Sequence, residues 1–216
     1  MSAVVFDMDG ILTDTEVIWD DVRRGLARED GVAWPEDATE TMMGMSTSEW
    51  SAYLSRTVGL RGSPEEAAER AIERVTRRLD EHLPLMPGAV EAVRRMAGRW
   101  PVGLASSAPR RLIDAVLEAL ELSDRFGATV STEEVPAGKP APDGYLLACE
   151  RLGVDPARSV AVEDSSNGLR SAAAAGMAVV AVPHPGHPPA ADALALAAAR
   201  LASLDELTEG LVAGLR

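Results

Sequence analysis

Two aspartates, Asp7 and Asp9, flank a single residue where the apolar run Val4-Val5-Phe6 gives way to Asp7-Met8-Asp9-Gly10. At the end of a buried strand both can face one pocket as the chain leaves pleated geometry. A carboxylate can attack phosphorus to give an aspartyl-phosphate. A second carboxylate close by can protonate the leaving oxygen and then activate water. Gly10 permits the tight turn that must follow. An isolated Asp-x-Asp-Gly would equally suit a turn with two solvated carboxylates. Its place after Phe6 and before Ile11-Leu12-Thr13-Asp14 sets this one apart.

Three further segments offer compatible groups. Val160-Ala161-Val162 runs into Glu163-Asp164, hard oxygen ligands of the kind that suits Mg2+ with its remaining waters; a helix N-cap is the plain alternative for Asp164. Val102-Gly103-Leu104-Ala105 runs into Ser106-Ser107. There a hydroxyl and the N–H groups of a helix start form a phosphate-compatible site, although helix capping explains the serines as well. Lys139, between Gly138 and Pro140, could neutralise an attacking carboxylate and a phosphate, or sit at the surface. Ligands of open parallel sheets bind at the carboxyl ends of the strands. All four segments therefore belong on one rim, and that convergence says more than any of them alone.

The elements that must position these groups follow from the apolar pattern. Ala3–Phe6, Val102–Ala105, Ser159–Val162 and Ala178–Val182 are continuous apolar runs, as buried strands are. Helical patterns lie between them at Gly88–Gly98, Arg110–Leu120, Asp143–Leu152 and Gly168–Ala175. This alternation predicts an α/β fold, a parallel sheet with helices on both faces. The stretch from Thr15 to Leu83 contains no convincing strand and reads as three or four helices, among them Glu16–Asp30 and Thr47–Val58. Ser63-Pro64-Glu65-Glu66 starts another, with Ser as N-cap and Pro at the first helical position. The expected division is a core of residues 1–14 and 84–216 with an all-helical insertion, 15–83.

Composition narrows the partners. The chain has 216 residues, 46% of them hydrophobic, and 34 acidic against 21 basic side chains, a formal charge of -13. That balance repels nucleic acid and anionic membranes. It would repel a phosphate ester too, so phosphate chemistry here implies a divalent metal. Cys149 is the single cysteine, which excludes an internal disulfide and suits a small buried hydrophobe. His82, His184 and His187 read as surface or loop residues. The N-terminus opens straight into Val4–Phe6 with neither a signal peptide nor a span, so a soluble cytoplasmic protein is expected, and a monomer.

Taken in order, FDMDGILTDTE, ASSAP, GKPAPDGY and VEDSSNG closely resemble the signature motifs of the haloacid dehalogenase-like hydrolase superfamily. More narrowly, the chain resembles the branch holding β-phosphoglucomutase and small sugar-phosphate phosphatases. The resemblance implies a Rossmann-like core with a helical cap inserted after the first strand, and a small phosphorylated metabolite as substrate. It implies Asp7 as nucleophile, Asp9 as general acid and base, and Lys139 beside them. It implies Mg2+ held by the Asp7 carboxylate, the Asp9 backbone carbonyl and Asp164, with Glu163 supporting through water. Ser106, Ser107 and Lys139 would hold the phosphoryl oxygens, while Asn167 and Gly168 shape the metal loop. Dehalogenases lack the second acid, so Asp9 favours phosphoryl transfer. The mutase pattern has a His where this chain has Trp19, and an Arg just after a Gly-x-Ser stretch where Gly44-Met45-Ser46 is followed by Thr47. Both departures favour hydrolysis of a sugar phosphate over a β-phosphoglucomutase-like isomerisation. A non-catalytic binding protein is the third reading, against which the complete acidic set argues. Trp19, Met45 and Trp50 are candidates for the cavity wall, although helical core packing would account for each equally well.

Overall fold

The computed structural model describes residues 1–42 and 45–215, without the side chain of Asp80; Gly44, singled out above, lies outside the described residues. Six parallel strands form one sheet: β1 (Ala3–Phe6), β2 (Val102–Ser106), β3 (Ala128–Ser131), β4 (Ser159–Glu163), β5 (Ala178–Ala181) and β6 (Ala199–Arg200). Their order across the sheet is β3-β2-β1-β4-β5-β6. The chain thus builds outward from β1 on one side, then returns to its other side with β4. This places the topological switch between β1 and β4, where open α/β sheets bind ligands.

β1 is buried throughout because both of its faces are covered. Val4 and Phe6 point into one apolar cluster with Leu104, Val160 and Val162. Val5 points into the other, with Tyr145, Cys149 and Leu169. The four strands expected from sequence all form. β3 and β6, the two edge strands, were not evident there: Thr129 and Ser131 interrupt the apolar residues of β3, and β6 has only two residues. Short edges are also how sheets avoid pairing with other chains. Cys149 is buried, and burial pushes its thiol up to about 11, as fits a packing residue.

After β1 the chain leaves for α1 (Glu16–Asp30), α2 (Ala38–Met42), α3 (Thr47–Tyr53) and α4 (Pro64–Glu81). No strand interrupts them among the described residues. α1 ends at Gly31 in the left-handed conformation (φ 73°), which glycine adopts without steric cost. α3 continues into a wider π turn over Leu54–Val58. α4 begins as its sequence dictates: the Ser63 hydroxyl accepts from the Glu66 N–H, the Glu66 carboxylate accepts from the Ser63 N–H (2.7 Å), and Pro64 opens the first turn. The outgoing and returning segments run side by side, Asp14 N–H donating to Pro84 O and Met86 N–H to Leu12 O, each at 3.0 Å. Among the described residues no helix is long and apolar enough to cross a membrane. The remaining helices are α5 (Ala89–Ala97), α6 (Arg110–Ala119), α7 (Asp143–Leu152), α8 (Ser166–Ala174), α9 (Ala191–Leu194) and α10 (Glu209–Gly214).

Candidate active site

Asp7 leaves the end of β1 and Glu163 ends β4, so the switch point brings two buried carboxylates face to face. Lys139 lies between them, its ammonium donating to Asp7 Oδ1 at 2.7 Å and to Glu163 Oε1 at 2.5 Å. Tyr145, from the first turn of α7, donates its hydroxyl to the same Glu163 oxygen at 2.9 Å. The other Glu163 oxygen accepts from the N–H groups of Asp164 and Ser165 and from the Ser165 hydroxyl. The carboxylate is thereby fully engaged, and its contacts fit it to anchoring Lys139 and the turn into α8. Asp164 differs: its Oδ1 is buried with no hydrogen-bond partner among the described residues.

Two glycines make room for this cluster. A Cβ on Gly10, whose φ is +82°, would lie 2.0 Å from Asp164 Oδ2, and one on Gly168 would lie 1.8 Å from Glu163 Oε1. The glycines of the first and last motifs are thus required by the carboxylates they face. Asp7, Glu163 and Asp164 each offer an oxygen within 4.8 Å of the others. Three carboxylates against one ammonium give the cluster a formal excess of two negative charges in a largely buried setting. Burial, then Glu163, pushes the Asp7 carboxyl up, with Lys139 working against both. Burial acts to lower the Lys139 ammonium, but Asp7 and Glu163 outweigh it, so the ammonium stays protonated.

Asp9 stands apart from this cluster and faces the cavity. Burial raises its carboxyl to about 6, opposed by the Thr15 hydroxyl, which donates to Asp9 Oδ1. A carboxyl near neutrality can both give and take a proton. Ser106 is buried, its Oγ accepting from the Ala108 N–H at 3.0 Å. The wall beside it is formed by Ser107, Ala108 and Pro109. His82 is exposed, while His184 and His187 lie in the loop after β5, and none of the three lines the cavity.

The helical insertion supplies the opposite wall: Glu16, Trp19, Arg23, Met42, Met45 and Trp50. Trp19 and Trp50 are at once cavity wall and apolar core, so both readings of them hold. Only about 60 Å³ remains between the two walls, far below the ~300–1,000 Å³ of ordinary small-molecule sites. Sequence reasoning missed four participants: Thr15, Glu16, Arg23 and Tyr145. Thr15, Glu16 and Tyr145 lie inside the quoted motifs FDMDGILTDTE and GKPAPDGY, which was their signal. Arg23 had none, since an arginine on a charged helix reads as a surface residue.

Residues 1–176 match the family model described as haloacid dehalogenase-like hydrolase. The chain belongs to this family. Hexitol phosphatase B of Escherichia coli (strain K12) is 37% identical over 212 residues, covering 95% of this chain and 94% of that one. A phosphorylated carbohydrates phosphatase of Thermotoga maritima is 36% identical over 178 residues, 82% of each chain. The crystal structure of β-phosphoglucomutase from Clostridium difficile superposes with a TM-score of 0.84 over 99% of this chain and 96% of that one; at 23% identity it speaks for the fold alone. Within the family the chain is an enzyme of the phosphatase kind, a phosphoric monoester hydrolase.

Proposed function

We propose that the chain hydrolyses a small phosphate monoester, a sugar phosphate, with Mg2+ and through an aspartyl-phosphate on Asp7. The observation that carries this reading is the buried Lys139 bridge between Asp7 and Glu163 beside the unpartnered Asp164 oxygen. A divalent cation fits there: the cluster has a formal excess of two negative charges, the donors are hard oxygens, and Asp164 Oδ1 has no partner among the described residues. Asp7 and Asp164 would hold it with the Asp9 carbonyl, and Glu163 would support from behind. Bound there, it would offset the negative charge of a phosphoryl group.

The chain's own groups then divide the work. Lys139 fixes Asp7 with one carboxylate oxygen engaged and leaves the other to attack phosphorus. As the ester P–O bond breaks, Asp9 gives its proton to the departing oxygen. In the second step Asp9 takes a proton from water, whose oxygen attacks phosphorus and releases phosphate and the free Asp7 carboxylate. Thr15 holds Asp9 for both transfers. Ser106, Ser107 and the turn they open, whose Ser107 and Ala108 line the cavity, receive phosphoryl oxygens, with Lys139 facing them. Residues 15–83 act as a cap over a core of 1–14 and 84–216. The small cavity supports a cap that opens for substrate on the paired segments at Leu12–Asp14 and Pro84–Met86. Trp19 fills the wall where the mutase pattern has a His, which supports hydrolysis over isomerisation. We read the enzyme as a cytoplasmic monomer acting on metabolites and not on nucleic acid.

A panel of phosphate monoesters assayed for released phosphate, with and without Mg2+, tests the reading. Release from sugar phosphates that stops on chelation is expected. A folded protein inactive on every ester would sink it.

A further inference from the structure

Arg23 sits one helical turn beyond Trp19 on α1 and lines the same cavity as Asp7 and Asp9. It is 6% exposed. Its guanidinium carbon lies 4.7 Å from the Trp19 ring centre and 5.0 Å from that of Trp50, held in the angle between the two indoles. Such stacking fixes the plane of the fork and leaves its edge to donate. That edge is unused: Nε is buried without a hydrogen-bond partner, and no ion pair holds the side chain among the described residues. Of the other arginines of the insertion, Arg24, Arg70, Arg74, Arg77 and Arg78 are paired with carboxylates, and Arg28, Arg56 and Arg61 are exposed to solvent. A buried guanidinium without partners costs free energy, so closing the cap over the site is unfavourable until something fills its donors.

Building on the phosphatase reading, we infer that Arg23 is the specificity-determining residue of the cap, donating to hydroxyl oxygens of an uncharged polyol or sugar leaving group. The charge of the cavity selects hydroxyls over a second anion. Four carboxylates line it, Asp7, Asp9, Glu16 and Asp164, against two cations, Arg23 and Lys139. One divalent metal brings that formal sum to zero before the phosphate arrives, and a further carboxylate or phosphate on the substrate would meet Glu16, with Arg23 as the one cation of the helical wall to offset it. Hydroxyls, in contrast, accept from Arg23 and donate to Glu16, while the C–H faces of a polyol suit the indoles. Closure is then favourable over a hydroxyl-bearing leaving group and unfavourable over a bare one, a form of induced fit.

The test compares kcat/KM for three esters, sorbitol 6-phosphate, n-propyl phosphate and 3-phosphoglycerate, in the wild type, Arg23→Met and Arg23→Lys, with thermal melting of each. In the wild type the polyol ester is expected to be the best of the three. Arg23→Met should reduce the ratio of polyol to propyl ester by about 10- to 100-fold, the worth of one or two hydrogen bonds from a charged donor. Arg23→Lys keeps the charge but loses the planar fork, and should fall between; it decides the matter if Arg23→Met does not fold. An unchanged ratio in a folded variant overturns the assignment, as does a wild type that prefers the carboxylate ester. A wild type inactive on all three esters and on the wider panel would instead sink the phosphatase reading itself.

Discussion

The two walls of the cavity differ in whether their charged groups already have partners. On the sheet side, Asp7, Lys139, Glu163 and Tyr145 form a connected set of hydrogen bonds, beside an Asp164 oxygen buried without a partner among the described residues. On the helical side, Arg23 is held by two aromatic faces, and its buried Nε has no partner among the described residues. The first wall is preorganised: its geometry is complete before substrate arrives, as stabilisation of a transition state requires. The second becomes complete only around a leaving group. Chemistry and selection are thus assigned to different elements of one site, the strand ends and the helix faces.

Breaking the sheet side should have the largest effects. Asp7→Asn removes the proposed nucleophile without changing its shape, and kcat should fall by about 10³-fold or more, with the circular dichroism of the wild type preserved. Activity within tenfold of wild type would show that the attacking group lies elsewhere. Lys139→Met strikes both function and stability, because it leaves Asp7 and Glu163 buried and unpaired. Their side chains are 8% and 0% exposed, and removing the partner of a buried charge costs about 3–5 kcal/mol. Urea unfolding measures this; an unaltered midpoint would mean that the bridge contributes nothing to the fold. The same variant should lose about 10²- to 10³-fold in kcat, as expected for one lost donor in a preorganised site.

This asymmetry also explains what could be read from the sequence. Asp7, Glu163 and Asp164 follow apolar strands directly, so their shared position comes from sheet topology and needs no knowledge of side-chain pose. Lys139 was placed by its motif, whereas its engagement of Glu163 as well as Asp7 required the fold. β3 went unseen because Thr129 and Ser131 interrupt its apolar residues, and β6 because two residues leave no pattern. Arg23 was invisible for another reason. Its role depends on Trp50, 27 positions away on a different helix, and the rotation of α1 against α3 is set by packing and not by local sequence.

Thr15 joins the two walls, being the first residue beyond the core segment while its hydroxyl holds Asp9 on the sheet side. Thr15→Val keeps the shape and loses the hydrogen bond. It should lower kcat about tenfold, the worth of one hydrogen bond to a charged acceptor, and Thr15→Ser should restore it. If valine turns over as fast as threonine, Asp9 is positioned by other contacts and the link between the walls is only steric.

The smallest effect is expected where pairing occurs within reach of solvent. Glu134, after β3, accepts from the Ser131 N–H, Arg110 and Arg151. Burial raises its carboxyl, but these donors outweigh it and bring the pKa from 4.5 down to about 2. A carboxyl whose pKa is lowered by folding contributes stability that is fully present above 4.5 and is lost as pH falls from there through 2. Glu134→Gln should therefore weaken the fold at pH 7 and leave it little changed near pH 2, as urea midpoints at the two pH values would reveal. With the side chain 29% exposed, solvent screening limits the loss to about 1 kcal/mol or less. Lys139→Met should cost several times more through contacts of the same chemical kind, because its partners are out of reach of water. Equal losses in the two variants would mean that burial does not set the value of these pairs, and the distinction between a preorganised wall and an unfilled one would lose its physical basis.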